Sequence, residues 1–163
     1  MSVIANNTLL SNFAFVNRLN LLKGVFGKVY LTPVIRCEIE NGILEGHVFQ
    51  ERTKQIIETK DWLLVIGFDQ DEQKLFNQLT KTLDAGEASC IAIAKSRKWI
   101  FLTDDKDARQ TAERLMIQLS GTVGFLRLAR DKKLITSDEG DDLLQSMIAN
   151  GYYSPVLRLD DIL

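Results

Sequence analysis

The sequence is poor in the residues that most often carry chemistry or cross-links: two cysteines, two prolines and a single histidine among 163 residues. Two cysteines are too few for a disulfide framework. Cys37 and Cys90 both fall within expected helices and read as small core residues. A lone histidine excludes the usual histidine-based zinc sites and Ser-His-Asp catalysis together, and His47 itself is expected on the surface of a helix. No run approaches the ~18 apolar residues of a membrane span. Met1-Ser-Val-Ile-Ala lacks the basic-then-apolar pattern of a secretory signal, so a cytoplasmic location is the default expectation. Neither Gly-x-Gly-x-x-Gly nor a Walker-type Gly/Lys/Ser motif occurs, which argues against nucleotide-dependent enzymes. Excess charge of one sign is missing too. With 20 basic against 22 acidic residues and a net charge of -2, no global field would draw the chain onto a polyanion, and any such contact needs a local patch.

What is present describes an ordinary folded domain. Hydrophobic residues at 45% and charged residues at 26% exclude disordered and fibrous classes, and the length suits one domain that buries roughly two thirds of its unfolded surface. Val3-Ile4-Ala5 reads as a first strand that stops at Asn6-Asn7-Thr8. Leu9 to Phe26 carries Phe13, Phe15, Val16, Leu19, Leu21, Leu22 and Val25, consistent with one or two helices with a broad buried side. Val29-Tyr30-Leu31 is a second strand, and Thr32-Pro33 supplies the N-cap and first position of the helix that carries Glu38. A polar helix from His47 to Thr59, a strand or edge element at Trp62 to Val65 and a helix from Asp69 to Leu79 follow. Further on, Asp105 to Leu115 reads as a helix, Met116 to Leu119 as a strand and Thr122 to Lys132 as a helix. Thr136 and Glu139 form a capping box for a helix that Gly151 closes, and Ser154-Pro155 caps a short last helix. Strands alternating with helices predict a three-layer α/β/α fold with a mostly parallel sheet. No repeat, low-complexity segment or linker divides the chain.

These elements are organised around Leu83 to Arg109, LDAGEASCIAIAKSRKWIFLTDDKDAR. Between Glu87 and Lys95 no residue is charged, so the helix there is buried on most sides and Glu87 stands at the mouth of a core. Trp99 to Thr103 suits a strand buried on both faces, and it ends in Asp104, Asp105 and Asp107. In open α/β sheets, sites form beyond the carboxyl ends of strands. Asn6, Glu38, Glu87 and the Asp104-Asp105-Asp107 group can therefore meet above one edge. Gathered carboxylates are costly to bury unless a cation neutralises them, and hard divalent ions take such oxygen ligands. Mg²⁺ or Mn²⁺ so held can activate a water for in-line attack on a phosphodiester. Each residue also has a plainer role. Asp84 and Glu87 match a capping box; Glu38 is an ordinary helical glutamate; Asp104 or Asp105 can cap the next helix; Asn6 suits a turn.

Taken in order, Asn6, Pro33-x-x-x-x-Glu38, Asp84-Ala-Gly-Glu87-Ala-x-x-Ile-Ala, Leu102-Thr-Asp-Asp105-Lys-Asp-Ala-Arg109 and Ser120-Gly-Thr-Val-Gly124-Phe-Leu resemble the PIN-domain family. The resemblance is strongest to the prokaryotic VapC-like toxins whose final motif is a Gly-Thr-x-Gly turn. The Gly-Glu-Ala and Thr-Asp-Asp segments are specific in combination, though neither is alone. The similarity runs from the first strand to about Ile135, which implies one PIN-like domain over 1–163, with a core over about 1–135 and a C-terminal helical extension over about 136–163. It implies an endoribonuclease dependent on Mg²⁺ or Mn²⁺, the toxin of a toxin-antitoxin pair, with an RNA substrate, a cognate antitoxin protein and a homodimeric state. Carried over by position, Glu38 is the second acid, Glu87 the third and Asp105 the fourth, with Asp104 the competing assignment. Thr103 and Thr122 would bring hydroxyls near the pocket.

The first acid departs from the family pattern. Members have an aspartate in a Ser-Asp-Thr-Ser-like turn, where this chain has Ala5-Asn6-Asn7-Thr8. An amide can ligate a metal through its oxygen but brings no negative charge and cannot act as a base. Three explanations stay open: an inactive relative, a weak enzyme, or an original aspartate replaced to tame a toxic activity. RNA contact would fall to Lys106, Arg109 and Arg114 on one helix and Arg127, Arg130, Lys132 and Lys133 on the next, although helical cations are as often solvated faces. Tyr152 and Tyr153 are candidates to stack on bases or to cover the core or a subunit contact. Two rivals stand beside the nuclease. One is a non-catalytic PIN-like module that binds RNA or protein. The other, a phosphotransfer receiver, needs an acid pair after the first strand and a lysine at a late strand end; Asn6-Asn7 and Gln118-Leu119-Ser120 argue against it.

Overall fold

The computed structural model describes residues 1–162; Leu163, the last residue of the expected domain, lies outside the described residues. Five strands, β1 (Val3–Ala5), β2 (Val29–Leu31), β3 (Leu63–Val65), β4 (Ile100–Leu102) and β5 (Leu119–Ser120), form one sheet in the order β3-β2-β1-β4-β5, every pair parallel. Parallel neighbours cannot be joined by a tight turn, so the connections are helical. α1 (Asn7–Phe15) and α2 (Asn20–Phe26) lead to β2, α3 (Pro33–Leu44) and α4 (Gln50–Thr59) to β3, and α5 (Gln70–Leu79) and α6 (Ala85–Arg97) to β4. α7 (Lys106–Arg114) leads to β5, and α8 (Thr122–Asp131) and α9 (Ser137–Ala149) close the chain. The expected α/β/α arrangement is the one observed.

The strands are short apolar runs because both faces of the sheet are covered; Val3, Ile4, Ala5, Phe101 and Leu102 have no exposed surface. α6 is the central helix. Gly86 and every residue from Ala88 to Ala94 are buried, and the helix packs on β1, β4, α3, α5 and α7. Its small residues allow close approach on several sides at once, and the Cys90 thiol reaches the Ala5 carbonyl of β1 at 3.6 Å. One hydrophobic cluster runs from β1 to Leu144 and Met147 of α9 and on to Leu159. After β1 the chain moves outward through β2 and β3, then returns through α5 and α6 to place β4 on the other side of β1. That reversal opens a crevice at the carboxyl ends of β1 and β4, where sites form in such sheets.

Leu9 to Phe26, expected as one or two helices, is two, with Asn17 at a positive φ of 56° between them. Other expectations need correction. Cys37 is exposed, unlike Cys90: α3 buries Ile35 and Ile39, and a residue two positions past Ile35 lies about 200° round the helix. His47 is exposed but sits in the turn before α4, not within it. The strand expected from Met116 begins only at Leu119. Met116 adopts φ 60° and the Ile117 N–H bonds the Ala112 carbonyl at 2.9 Å, a left-handed helix termination that consumes those residues. No helix follows Ser154-Pro155 in the described residues. There the Ser154 hydroxyl takes the Val156 N–H at 3.2 Å, closing a local turn.

Because α6 carries the site and touches most of the core, its packing sets the stability of the whole. Ile91→Ala removes a fully buried side chain and is expected to lower the unfolding free energy in urea by about 2–4 kcal/mol. A loss below about 1 kcal/mol would show that α6 is not part of the cooperative core.

Candidate functional site

The crevice is built first by register. Ala5 of β1 lies beside Leu102 of β4, so the next residues, Asn6 and Thr103, are neighbours at the strand ends. Asn6 is 3% exposed, and it caps α1 by accepting the Thr8 N–H at 3.1 Å and the Thr8 hydroxyl at 2.5 Å. A backbone N–H can only donate, which fixes Oδ1 on Thr8 and leaves Nδ2 to donate to Thr103 Oγ1 at 2.7 Å. Thr103 Oγ1 also accepts the Asp105 N–H at 3.1 Å. Its own proton is therefore not required by either contact, and it can turn to donate to an aspartate at position 6.

Two helix N-terminal turns supply the acids. Thr32 caps α3 by accepting the Ile35 N–H at 3.2 Å, and its hydroxyl meets Ser89 of α6 at 2.7 Å. This holds α3 and α6 together near their starts, with Glu38 on one and Glu87 on the other. Gly86 completes the contact: a Cβ there would overlap the Glu38 carboxyl, standing 2.8 Å from its Cδ. Asp84 caps α6 by accepting the Glu87 N–H at 2.9 Å. The return bond of a capping box, made in α5 and α9, is not made in α6. Glu87 is not simply a capping residue, and its carboxyl faces Asp105 and Asp84 within hydrogen-bonding reach.

The acids perturb one another. Burial first, then the hydrogen bond with Asp105 and the charges of Asp84 and Asp105, push Glu87 up to about 8. Burial and then the charge of Asp84 also raise Glu38. Asp84, read from the sequence only as a cap, is thus a member of the group; its Asp-x-x-Glu spacing to Glu87 on one helical turn was the available signal. A cleft of about 200 Å³ is lined by Asn6, Thr8, Ser11, Glu38, Asp84 and Glu87. Among the described residues no three His, Cys, Asp or Glu side chains converge closely enough to hold an ion as they stand; Glu87 faces Asp105 and Asp84, and Glu38 lies within the field of Asp84. The donor set fits a hard divalent ion in its chemistry. The cleft offers oxygen atoms and contains no Lys, Arg or His, and the missing Cβ of Gly86 is what admits the Glu38 carboxyl.

The two adjacent aspartates part company. Asp105 caps α7 through the Ala108 N–H at 2.8 Å and faces Glu87. Asp104 turns away to accept the Thr122 N–H at 2.8 Å, the Thr122 hydroxyl at 2.6 Å, Asn12 Nδ2 at 3.3 Å and the Tyr152 hydroxyl at 3.2 Å. Burial and Asp104 push the Tyr152 phenol up, so it stays protonated and donates. Of the expected RNA contacts, Lys106 is exposed and Arg109 Nη1 donates to the Thr103 carbonyl at 3.0 Å. Arg127 and Arg130 hold the C-terminal tail, Arg127 through the carbonyls of Leu159 at 2.6 Å and Asp161 at 2.7 Å, Arg130 through Asp160 at 2.6 Å. Lys106, Arg109 and Arg127 line one groove with Tyr152 and Tyr153; Arg130 stands outside it.

A parallel sheet in this order, with acids from the helices around it gathered over the end of its first and fourth strands, defines a PIN-like α/β fold. The same fold is found in a chain of the crystal structure of VapBC2 from Rickettsia felis bound to a DNA fragment from their promoter. The two share 12% identity at a TM-score of 0.51, over 73% of this chain and 98% of that one. The DUF3368 family model, described as a PIN domain, matches residues 2–163, and the chain belongs to that family. Among curated proteins no sequence matches it.

Two outcomes follow from the packing and charge of this site. A carboxyl raised from 4.5 to about 8 in the fold contributes stability that is fully present below the unfolded pKa and is lost as pH rises through about 8. Glu87→Gln should therefore flatten the stability profile between about pH 5 and 8. At pH 8.5 it should raise stability by about 1–2 kcal/mol, solvent screening at a half-buried group holding the effect below the full ~1.4 kcal/mol per pKa unit. Urea unfolding against pH checks this, and parallel profiles would remove Glu87 from the acid pair. Gly86→Ala should displace the Glu38 carboxyl, which nuclear magnetic resonance titration of the Glu38 side chain would read as a fall toward the ordinary carboxylate range.

Proposed function

We propose that this chain is an endoribonuclease of the PIN type dependent on Mg²⁺ or Mn²⁺, from the branch that ends in the Gly-Thr-x-Gly turn at Gly121 to Gly124, and the toxin of a toxin-antitoxin pair. The observation that carries this reading is the meeting of Glu87 with Asp105 and of Glu38 with Asp84, from separate segments, over the carboxyl ends of β1 and β4. Glu38, Glu87 and Asp105 would hold the ion. Asp104, engaged by Thr122, Asn12 and Tyr152, is the weaker choice for the fourth acid. When bound, the ion supplies Lewis-acid polarisation of a water and of the phosphodiester. The protein's part is to keep the carboxylates half-buried, where their field is stronger than in bulk water, and to orient Asp105 through the cap of α7.

Asn6 occupies the place of the first acid with its oxygen committed to Thr8 and its nitrogen to Thr103, so it orders the strand ends and adds no charge. Lys106 and Arg109 would neutralise RNA phosphates beside the acids, whereas Arg127 and Arg130, expected to share that task, are engaged by the C-terminal tail. A cognate antitoxin, a homodimeric state and a cytoplasmic setting complete the reading. The VapBC2 assembly of the structural neighbour supports a protein partner, and no helix of the described residues is long and apolar enough to cross a membrane. A second reading, a non-catalytic module that binds RNA or protein, is favoured by Asn6 alone.

Cleavage of a labelled RNA in Mn²⁺, with Mn²⁺ affinity measured by calorimetry, separates the two. Asn6→Asp is expected to fold, because Thr103 can donate to it, and to raise cleavage on the order of 100-fold, the scale of a well-placed acid-base group. Glu87→Gln should weaken Mn²⁺ binding about tenfold or more and remove cleavage. An Asn6→Asp protein that binds Mn²⁺ yet stays inert would favour the binding module.

A further inference from the structure

We infer that the groove between α7, α8 and the C-terminal tail is a subsite for one nucleotide of single-stranded RNA, with its base stacked on Tyr153 and its phosphate held by Lys106 and Arg109. This subsite deepens the nuclease reading and rests on it for the class of ligand. The groove encloses about 550 Å³, within the ~300–1,000 Å³ of small-molecule sites.

The aromatic platform stands on a fixed support. Tyr152 is tied to Asp104, the Leu159 N–H bonds Asp141 at 2.8 Å, Arg127 bonds the Leu159 carbonyl, and Val156 and Leu159 are buried. Yet Tyr153, inside this anchored stretch, is 95% exposed. An aromatic held out on ordered backbone loses little further freedom when a base stacks on it. The cations beside it are unspent. Among the described residues Lys106 makes no ion pair or side-chain hydrogen bond, and Arg109 uses one donor on the Thr103 carbonyl, leaving the rest of its guanidinium fork.

The floor and its charge fit the same ligand. At Gly121 a Cβ would stand 2.7 Å from Asp104 and 2.9 Å from Arg109, so the missing side chain is what lets the Arg109 guanidinium lie at the start of α8, on the floor of the groove. The Asp104 carboxylate spends its acceptor positions on Thr122, Asn12 and Tyr152, and the groove sets the cations Lys106, Arg109 and Arg127 against the acids Asp104 and Glu113. Position selects RNA over a protein partner. Asp104 lines the groove while the next residue, Asp105, meets Glu87, so a strand lying here leads directly to the acids.

Fluorescence anisotropy of a short fluorescein-labelled single-stranded RNA with the full chain in EDTA tests the subsite without cleavage. Tyr153→Ala is expected to weaken binding at least about fivefold and Tyr153→Trp to keep it. Lys106→Ala should weaken binding and lower the salt slope by about 0.7, one phosphate on a single strand. Tyr153 is exposed, so neither change at that position threatens the fold. No RNA binding by the wild-type chain would overturn the proposal. So would a Tyr153→Ala protein that binds like wild type, which would leave Tyr153 to a protein partner. RNA binding that depends on Tyr153 in a protein that never cleaves in Mn²⁺ would support the subsite while refuting the nuclease.

Discussion

The close approach of α3 and α6 at their first turns is the contact on which the site depends. The Ser89 hydroxyl donates to the Gly86 carbonyl at 2.7 Å, so its bond to Thr32 must use the Thr32 proton, and Thr32 at the same time caps α3. Three bonds through two buried hydroxyls thus fix the start of one helix against the other. Only glycine at position 86 lets the Glu38 carboxyl lie against that turn. The consequence is electrostatic. Acids that would separate in water are held at a half-buried edge, and their raised affinity for protons reflects burial first and their mutual repulsion second. The core around α6, with buried side chains on nearly every side, has to offset that cost.

The segment Thr103-Asp104-Asp105 divides two tasks between adjacent carboxylates. Successive side chains of extended backbone point in opposite directions, and here one aspartate braces the start of α8 and the C-terminal tail while the other faces the cleft. A single strand end therefore links the acids to the tail that carries Tyr152 and Tyr153. Changes in the tail should reach the site through Asp104, not through the sheet.

Much of this was legible in the sequence because it rests on local rules. Thr32-Pro33 and Thr136-x-x-Glu139 cap helices as their residue types require, and the uncharged run after Glu87 marks the buried helix. The parallel sheet followed from alternation of strands and helices, and the joint position of Asn6, Glu38, Glu87 and the paired aspartates followed from it. What could not be read depends on side-chain direction or tertiary contact. The direction in which Asp104 turns is set by Thr122 and Tyr152, residues distant in sequence. Asp84 was legible as a neighbour of Glu87 on one helical turn, but it meets Glu38 only because α3 lies beside α6. Cys37 looked like a core residue in a helix whose buried face is narrow, and the tail after Ser154 is ordered by bonds to Arg127 and Asp141 instead of by helix formation.

Under the proposed function, Glu38, Glu87 and Asp105 would be drawn together on one divalent ion despite Asn6. A crystal soaked in Mn²⁺, with an anomalous difference map, tests it directly. One peak is expected between these three side chains, with carboxylate oxygens drawn in to about 2.2 Å, a distance typical of small hard cations on oxygen ligands. A map with no peak there, or with manganese bound only elsewhere on the surface, would contradict it.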